Sequence, residues 1–194
     1  MSFDLTRWLE RIVGPGHVKW LWLSVAVVIA DQLVKLAVVL QFGSYETFGQ
    51  FFAHTAGGEL PQGLYRRIEV LPVLDITLMV NTGAAFSMLA DAGGWQRWFF
   101  VVLAVGVIGF ILYWLRTLPP RGHAFLAVGL ALVLGGAFGN LIDRTLYGWV
   151  IDFIHLHWND WYFPAFNVAD SAITVGAVIL IIDAFFGSGR KPEM

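Results

Sequence analysis

Four stretches of this chain are each apolar over about 20 residues, the length needed to cross roughly 30 Å of hydrocarbon. They run over about 17–40, 95–115, 124–142 and 165–186. Of the 194 residues, 58% are hydrophobic and 13% charged, against about 45–50% and about 25% in soluble domains. One soluble core cannot hide that surplus, so a bilayer must take it up. The expected fold is a mainly α membrane protein, a single integral domain over 1–194. It has four transmembrane helices, a small extracytoplasmic β-sheet and an N-terminal interfacial helix. Pro119-Pro120 punctuates the turn between spans two and three, and Pro164 suits the first turn of span four.

The N-terminus lacks the basic tip and short apolar core of a secretory signal. Instead Leu5, Trp8, Leu9 and Ile12 recur at helical spacing, with Asp4, Arg7, Glu10 and Arg11 around the rest of the helix. That is the pattern of a helix lying on a membrane surface, broken by Gly14-Pro15-Gly16. Orientation follows from the basic residues. Arg7, Arg11, Lys19, Arg116, Arg121, Arg190 and Lys191 are seven of the 12 Lys and Arg, and all fall on one side. Both termini are therefore expected in the cytoplasm, with extracytoplasmic segments over about 41–94 and 146–164. In the first of these, Ile76-Thr77-Leu78-Met79-Val80 reads as a strand. In the second, Tyr147, Trp149, Trp158, Trp161 and Tyr162 have the density of an aromatic belt at the headgroups.

A net charge of -2 and the lack of any basic run argue against nucleic acid. There are no cysteines, which excludes disulfides, thiolate catalysis and Cys-based metal sites. His155 and His157 share one side of a strand but lack a third ligand. No metal and no cofactor is expected.

The informative residues are ionisable groups at span ends, where an uncompensated charge costs at least ~2.5–3.5 kcal/mol at mid-bilayer. Asp31 and Lys35 share a helix face at i, i+4. Asn140, Asp143 and Arg144 close span three; Asn167 and Asp170, three apart, open span four. Asp152 stands in Val150-Ile151-Asp152-Phe153-Ile154, an acid among apolar residues. Asp170 is expected about five residues into its span, roughly 8 Å deep. All of these lie toward one side of the membrane, whereas Asp183 belongs near the other end. Bland alternatives stand beside a buried site: a helix-stabilising Asp31–Lys35 pair, an interfacial Asp143–Arg144 pair, and a packing seam at Gly135 and Gly139. Two further functional readings remain, an ion path through the acids and a scaffold using glycine seams.

Four blocks in order narrow the choice. They are Asp31-Gln32-Leu33-Val34-Lys35; Asn81-Thr82-Gly83-Ala84-Ala85-Phe86-Ser87; Gly139-Asn140-Leu141-Ile142-Asp143-Arg144 with Val150-Ile151-Asp152-Phe153-Ile154; and Phe163-Pro164-Ala165-Phe166-Asn167-Val168-Ala169-Asp170-Ser171. Together they resemble the signature blocks of lipoprotein signal peptidase, also called signal peptidase II. The resemblance covers nearly all of the chain from span one to span four. It implies an aspartic endopeptidase of the bacterial cytoplasmic (inner) membrane. Such an enzyme cleaves diacylglyceryl-modified prolipoproteins before the lipid-bearing cysteine. Its surroundings are membrane lipid, and a single four-span domain is expected to work alone, as a monomer. By motif, Asp152 and Asp170 correspond to the catalytic pair, and Asp31, Lys35, Asn81, Gly83, Asn140, Asp143, Arg144 and Asn167 to substrate-binding or site-supporting positions. The stretch from Leu40 to Leu71, with Gly57-Gly58, Pro61 and Gly63, is longer than the family pattern and reads as an insertion.

Two adjacent carboxyls suit that chemistry. They cannot both ionise easily, so one proton is shared and the pair titrates as a unit. The ionised member takes a proton from water while its partner polarises the scissile carbonyl. On this reading Asn167 orients Asp170 or binds substrate backbone, and Asn81 beside Gly83, Ala84 and Ala85 admits peptide. Asn140 and Arg144 hold peptide or lipid head, and Asp143 braces Arg144.

Overall fold

The computed structural model describes residues 4–14, 17–56, 59–83, 94–119 and 121–186. Pro15, Gly16, Gly57, Gly58, Ala84 to Ser87, Pro120, Arg190 and Lys191, all used above, lie outside the described residues. The helices are α1 (Leu5–Val13), α2 (Val18–Phe42), α3 (Phe48–Thr55), α4 (Trp95–Thr117), α5 (Ala124–Leu146) and α6 (Val168–Phe186). The strands are β1 (Arg67–Leu71), β2 (Leu74–Asn81), β3 (Val150–Trp158) and β4 (Trp161–Tyr162).

Four of these helices, α2, α4, α5 and α6, are long and apolar enough to cross a membrane, with mean hydropathies of 2.0 to 2.4. Their apolar side chains point outward as well as inward, as lipid demands: Val102 on α4 is 70% exposed and Phe185 on α6 is 77% exposed. The hub is α5, which packs against α2, α4 and α6.

Glycines make that hub possible. A Cβ at Gly135 would lie 2.8 Å from the Ser24 carbonyl oxygen of α2, and one at Gly136 would collide with the Ala169 carbonyl oxygen of α6. The seam read at Gly135 and Gly139 is therefore one side of a two-sided contact, in which small residues let backbones approach. α1 begins at Asp4, whose side chain caps it by accepting from the Arg7 N–H at 3.2 Å. Its end is pinned by Val13, which is 0% exposed among Ile108, Ile111 and Leu115 of α4. Leu5 and Trp8 are about half exposed.

The sheet has the order β1-β2-β3-β4 and is antiparallel throughout. The expected strand lies inside β2, and the two histidines lie on β3. The register of β2 on β3 shifts between Ile76 and Met79, after which Met79 pairs with Asp152 and Asn81 with Val150. The inner face of the sheet joins the end of α2 in a core of Val38, Val39, Phe42, Leu78, Ile151 and Phe153.

Three local features depart from the sequence reading. α5 continues to Leu146, so Asp143 and Arg144 lie in its last turn. α6 starts at Val168, and Pro164 precedes it in extended chain, where Phe166 bridges to Ile154 of β3. Asp170 is thus the third residue of α6, shallower than expected. The longer segment, between α2 and α4, holds a helix, α3, as well as β1. Gly63 within it has φ +77°, and a Cβ there would collide with the Phe42 carbonyl oxygen, so the loop can fold back on α2 only with glycine.

Candidate active site

The polar blocks converge at one end of the helix bundle. Asp31 and Lys35 belong to the latter half of α2, Asn140, Asp143 and Arg144 to the end of α5, and Asp170 to the start of α6. β3, entered by the short turn after α5, adds Asp152. Charges spread through the membrane depth, as an ion path requires, are not what these residues form.

At the base lies an ion triad. Lys35 Nζ is 2.7 Å from Asp31 Oδ2 and 2.8 Å from Asp143 Oδ2, with all three side chains at most 2% exposed. Asp31 Oδ1 accepts the Ala169 N–H of α6 at 2.9 Å, and Asp143 Oδ2 accepts the Ile151 N–H of β3 at 3.0 Å besides its contact with Lys35. The remaining oxygen, Asp143 Oδ1, accepts from Gln32 Nε2. The triad therefore joins α2, α5, α6 and β3, and its full pairing is what makes its burial tolerable. The expectation that Asp143 braces Arg144 is corrected here. Sequence neighbours on a helix point about 100° apart, and Asp143 turns inward to Lys35. Arg144 instead donates to the Gly83 carbonyl at 3.1 Å and lies over the Phe100 ring at 5.0 Å.

Gln32 was missed. Its Nε2 donates to Asp143 Oδ1 at 2.9 Å and, more weakly, to Asp31 Oδ2 and the Gly139 carbonyl, each at 3.3 Å. The signal was an amide beside Asp31 inside an apolar span, a costly residue without a polar neighbour. Gly139 is needed because a Cβ there would lie 2.8 Å from Asp31 Oδ2.

Above the triad, asparagines carry the polar connection outward. Lys35 Nζ donates to Asn140 Oδ1 at 3.4 Å, and Asn140 Nδ2 donates to Asp170 Oδ1 at 2.8 Å. Asn167 opens α6 with a reciprocal cap. Its Oδ1 accepts the Asp170 N–H at 2.8 Å, while Asp170 Oδ2 accepts the Asn167 N–H at 3.2 Å. This is a capping box built from Asn and Asp, and it explains why α6 starts after Asn167. The same Asn167 donates through Nδ2 to Asp152 Oδ1 at 2.7 Å. Asn81 Nδ2 donates to Asp152 Oδ2 at 3.1 Å, and Asn81 Oδ1 accepts the Gly83 N–H at 3.0 Å. Each expected site residue thus lies in one connected set. Burial first, and the neighbouring Asp170 carboxylate second, push the Asp152 carboxyl up from 3.8 to about 7.

Asp152 and Asp170 open on a cleft of about 1060 Å³ whose lining includes Asn81, Asn140, Arg144, Phe163, Phe166 and Ile173. It is polar at the carboxylates and apolar along α6 and the 163–166 segment. A second groove of about 510 Å³, between α1, α2, α4 and α5, is apolar; Ser24, which lines it, donates its hydroxyl to the Ala131 carbonyl. The larger cleft is the one with chemistry. Among the described residues no group of His, Cys, Asp or Glu side chains could hold a metal.

Four helices apolar and long enough to cross a membrane, with two carboxyls opening on one cleft, define a polytopic membrane protein with a candidate carboxyl-based active site. The comparisons carry this to a family. Residues 23–186 match the family model described as signal peptidase (SPase) II, and the chain belongs to that family. It is 49% identical over 172 residues to a lipoprotein signal peptidase of Pseudomonas aeruginosa, covering 88% of this chain and 89% of that protein. It is 50% identical over 180 residues to one of Pseudomonas putida, covering 92% of each. A solved bacterial membrane enzyme, determined at 2.3 Å by the in meso method, superposes with a TM-score of 0.68 at 30% identity, covering 91% of this chain and 93% of that one.

Proposed function

We propose that Asp152 and Asp170 are the catalytic pair with which this signal peptidase II removes signal peptides from diacylglyceryl-modified prolipoproteins, cleaving before the lipid-bearing cysteine. The observation that carries the assignment is Asn167, whose side-chain amide holds Asp152 while its backbone N–H holds Asp170. Two carboxyls set by one residue at the floor of a cleft can share a proton and act on one water. With its carboxyl at about 7, Asp152 can keep that proton near neutral pH. The ionised partner then takes a proton from water as its oxygen adds to the scissile carbonyl, and the protonated one polarises that carbonyl and afterwards gives its proton to the leaving amine.

The other residues position this pair. Lys35 fixes the Asn140 amide oxygen, which leaves the Asn140 NH2 aimed at Asp170. Arg144 holds the Gly83 carbonyl at the lip of the cleft, beside Asn81, where peptide enters. The apolar wall of Phe163, Phe166, Ile173 and Val175 suits acyl chains of the modified cysteine, which bilayer lipid would otherwise solvate.

The site end of the bundle faces the extracytoplasmic side of the bacterial inner membrane, and both termini face the cytoplasm. Arg7, Arg11, Lys19, Arg116 and Arg121 at the opposite end support this by their excess. The enzyme works as a monomer, since a single four-span domain carries every residue assigned to the site.

The test is cleavage of a diacylglyceryl-modified prolipoprotein by the detergent-solubilised protein beside Asp152→Asn and Asp170→Asn. Both variants are expected to lose about 10³-fold in turnover while remaining folded. Undiminished cleavage by either would remove that residue from the pair. Cleavage of unmodified prolipoprotein at the same rate would remove the lipid requirement.

A further inference from the structure

α3 lies in the insertion, and peptide hydrolysis gives it no role. It follows α2 after Gly43 to Thr47, too short a link to carry it far from the end of a membrane span. Thr47 caps it, its Oγ1 accepting the Gln50 N–H at 3.3 Å. Helical spacing puts Phe48, Phe51, Phe52 and Thr55 on one face and Gly49, Gln50 and Ala53 on the other.

Only half of that apolar stripe is covered by protein. Phe51 is 1% exposed, with its ring 5.1 Å from Tyr147 and 6.4 Å from Trp149, and Thr55 is buried beside it. Phe48 and Phe52, 6.0 Å apart, are 45% and 38% exposed. Phenylalanine has no polar handle, so this open half needs apolar cover. α3 starts directly beyond the end of the apolar span α2.

We propose that α3 is a second interfacial helix, with Phe48 and Phe52 seated in the boundary between headgroups and acyl chains. Gln50 and Ala53 face water, and Gln50 Oε1 accepts the Glu46 N–H at 2.8 Å on that side. The covered half ties this contact to the site. Tyr147 ends α5 four residues after Asp143 and stacks on Trp149 at 5.2 Å, and Trp149 leads directly into β3 and Asp152. Lipid contact at α3 thereby steadies the turn from which the Asp152 strand departs.

The chain has no cysteine, so single-cysteine variants carry one nitroxide each. Phe48→Cys, Phe52→Cys, Gln50→Cys and Glu46→Cys would be labelled in the full chain and reconstituted in phosphatidylethanolamine–phosphatidylglycerol vesicles. The ratio of oxygen to aqueous nickel accessibility is expected to be several-fold higher at 48 and 52 than at 46 and 50. Equal ratios at all four would overturn the proposal. As a second probe that stays apolar and aromatic, benzoylphenylalanine replaces Phe52. Photolysis is expected to add the mass of one phospholipid; a cross-linked second copy of the chain, or no lipid adduct, would overturn it.

Discussion

Asn167 and Asp152 meet at 2.7 Å, side-chain amide to carboxylate, while the same asparagine caps the helix that carries Asp170. One residue thus starts α6 and sets the relation of the two carboxyls. The two duties separate by substitution. Asn167→Ala removes both, costing about 1 kcal/mol as a lost cap and about 10²-fold in turnover. Asn167→Ser keeps a capping oxygen but is too short for Asp152. Turnover is expected to fall as far as in the alanine variant while thermal stability falls less. Equal activity of the serine variant and the parent would show that the amide contact does not serve catalysis.

The raised Asp152 carboxyl gives the activity an alkaline limit. As pH rises through about 7, the shared proton leaves and kcat should decline. Asn81 donates to the ionised carboxylate and so holds this limit down; Asn81→Leu should move the alkaline limb to higher pH. Stability follows the same sign. The folded value lies above the unfolded one near 3.8, so the stabilisation is full below 3.8 and lost as pH rises through about 7. Asp152→Asn escapes this loss, and its Tm advantage over the parent should open between pH 5 and pH 8. A constant gap across that range would count against a buried titrating Asp152.

The ion triad should matter by its completeness. Lys35→Met leaves Asp31 and Asp143 buried without their cation, which costs about 3–5 kcal/mol. The triple variant Asp31→Asn, Lys35→Met, Asp143→Asn removes every charge and should recover part of that loss. Denaturation in detergent micelles measures both. A single variant as stable as the parent would mean that the triad does not hold α2 to α5.

Glycines on two helices predict opposite outcomes. Gly139→Ala places a methyl 2.8 Å from Asp31 Oδ2 and 3.1 Å from Ala169 Cβ, an overpacking cost of about 1–3 kcal/mol. Gly106 on α4 has nothing within 4 Å of such a methyl, so Gly106→Ala should be neutral or stabilise by up to about 1 kcal/mol. Thermal unfolding that ranked the two the other way would contradict the two-sided packing of α5.

The sequence by itself determined the membrane class and the four apolar helices, because hydrocarbon thickness demands long apolar runs whatever the packing. It also determined which polar residues gather, since a charge in a span must find a partner, and Asp31, Lys35, Asn140, Asp143, Asn167 and Asp170 did so. Tertiary structure decided who pairs with whom. Asp143 turns to Lys35, 108 positions away in the chain, because the Gly135–Gly139 face of α5 lets α2 come close. Helix spacing alone had left Arg144 as its nearest candidate. Gln32 entered the set for the same reason. The start of α6 was misplaced because Pro164 is a helix-start signal that the bridge from Phe166 to Ile154 overrides. α3 was missed because its eight residues are too few for a clear period and gain their stability from Tyr147 and Trp149. Apolar length is a local property that a sequence displays directly. The partner of a buried charge is settled only when distant helices have packed.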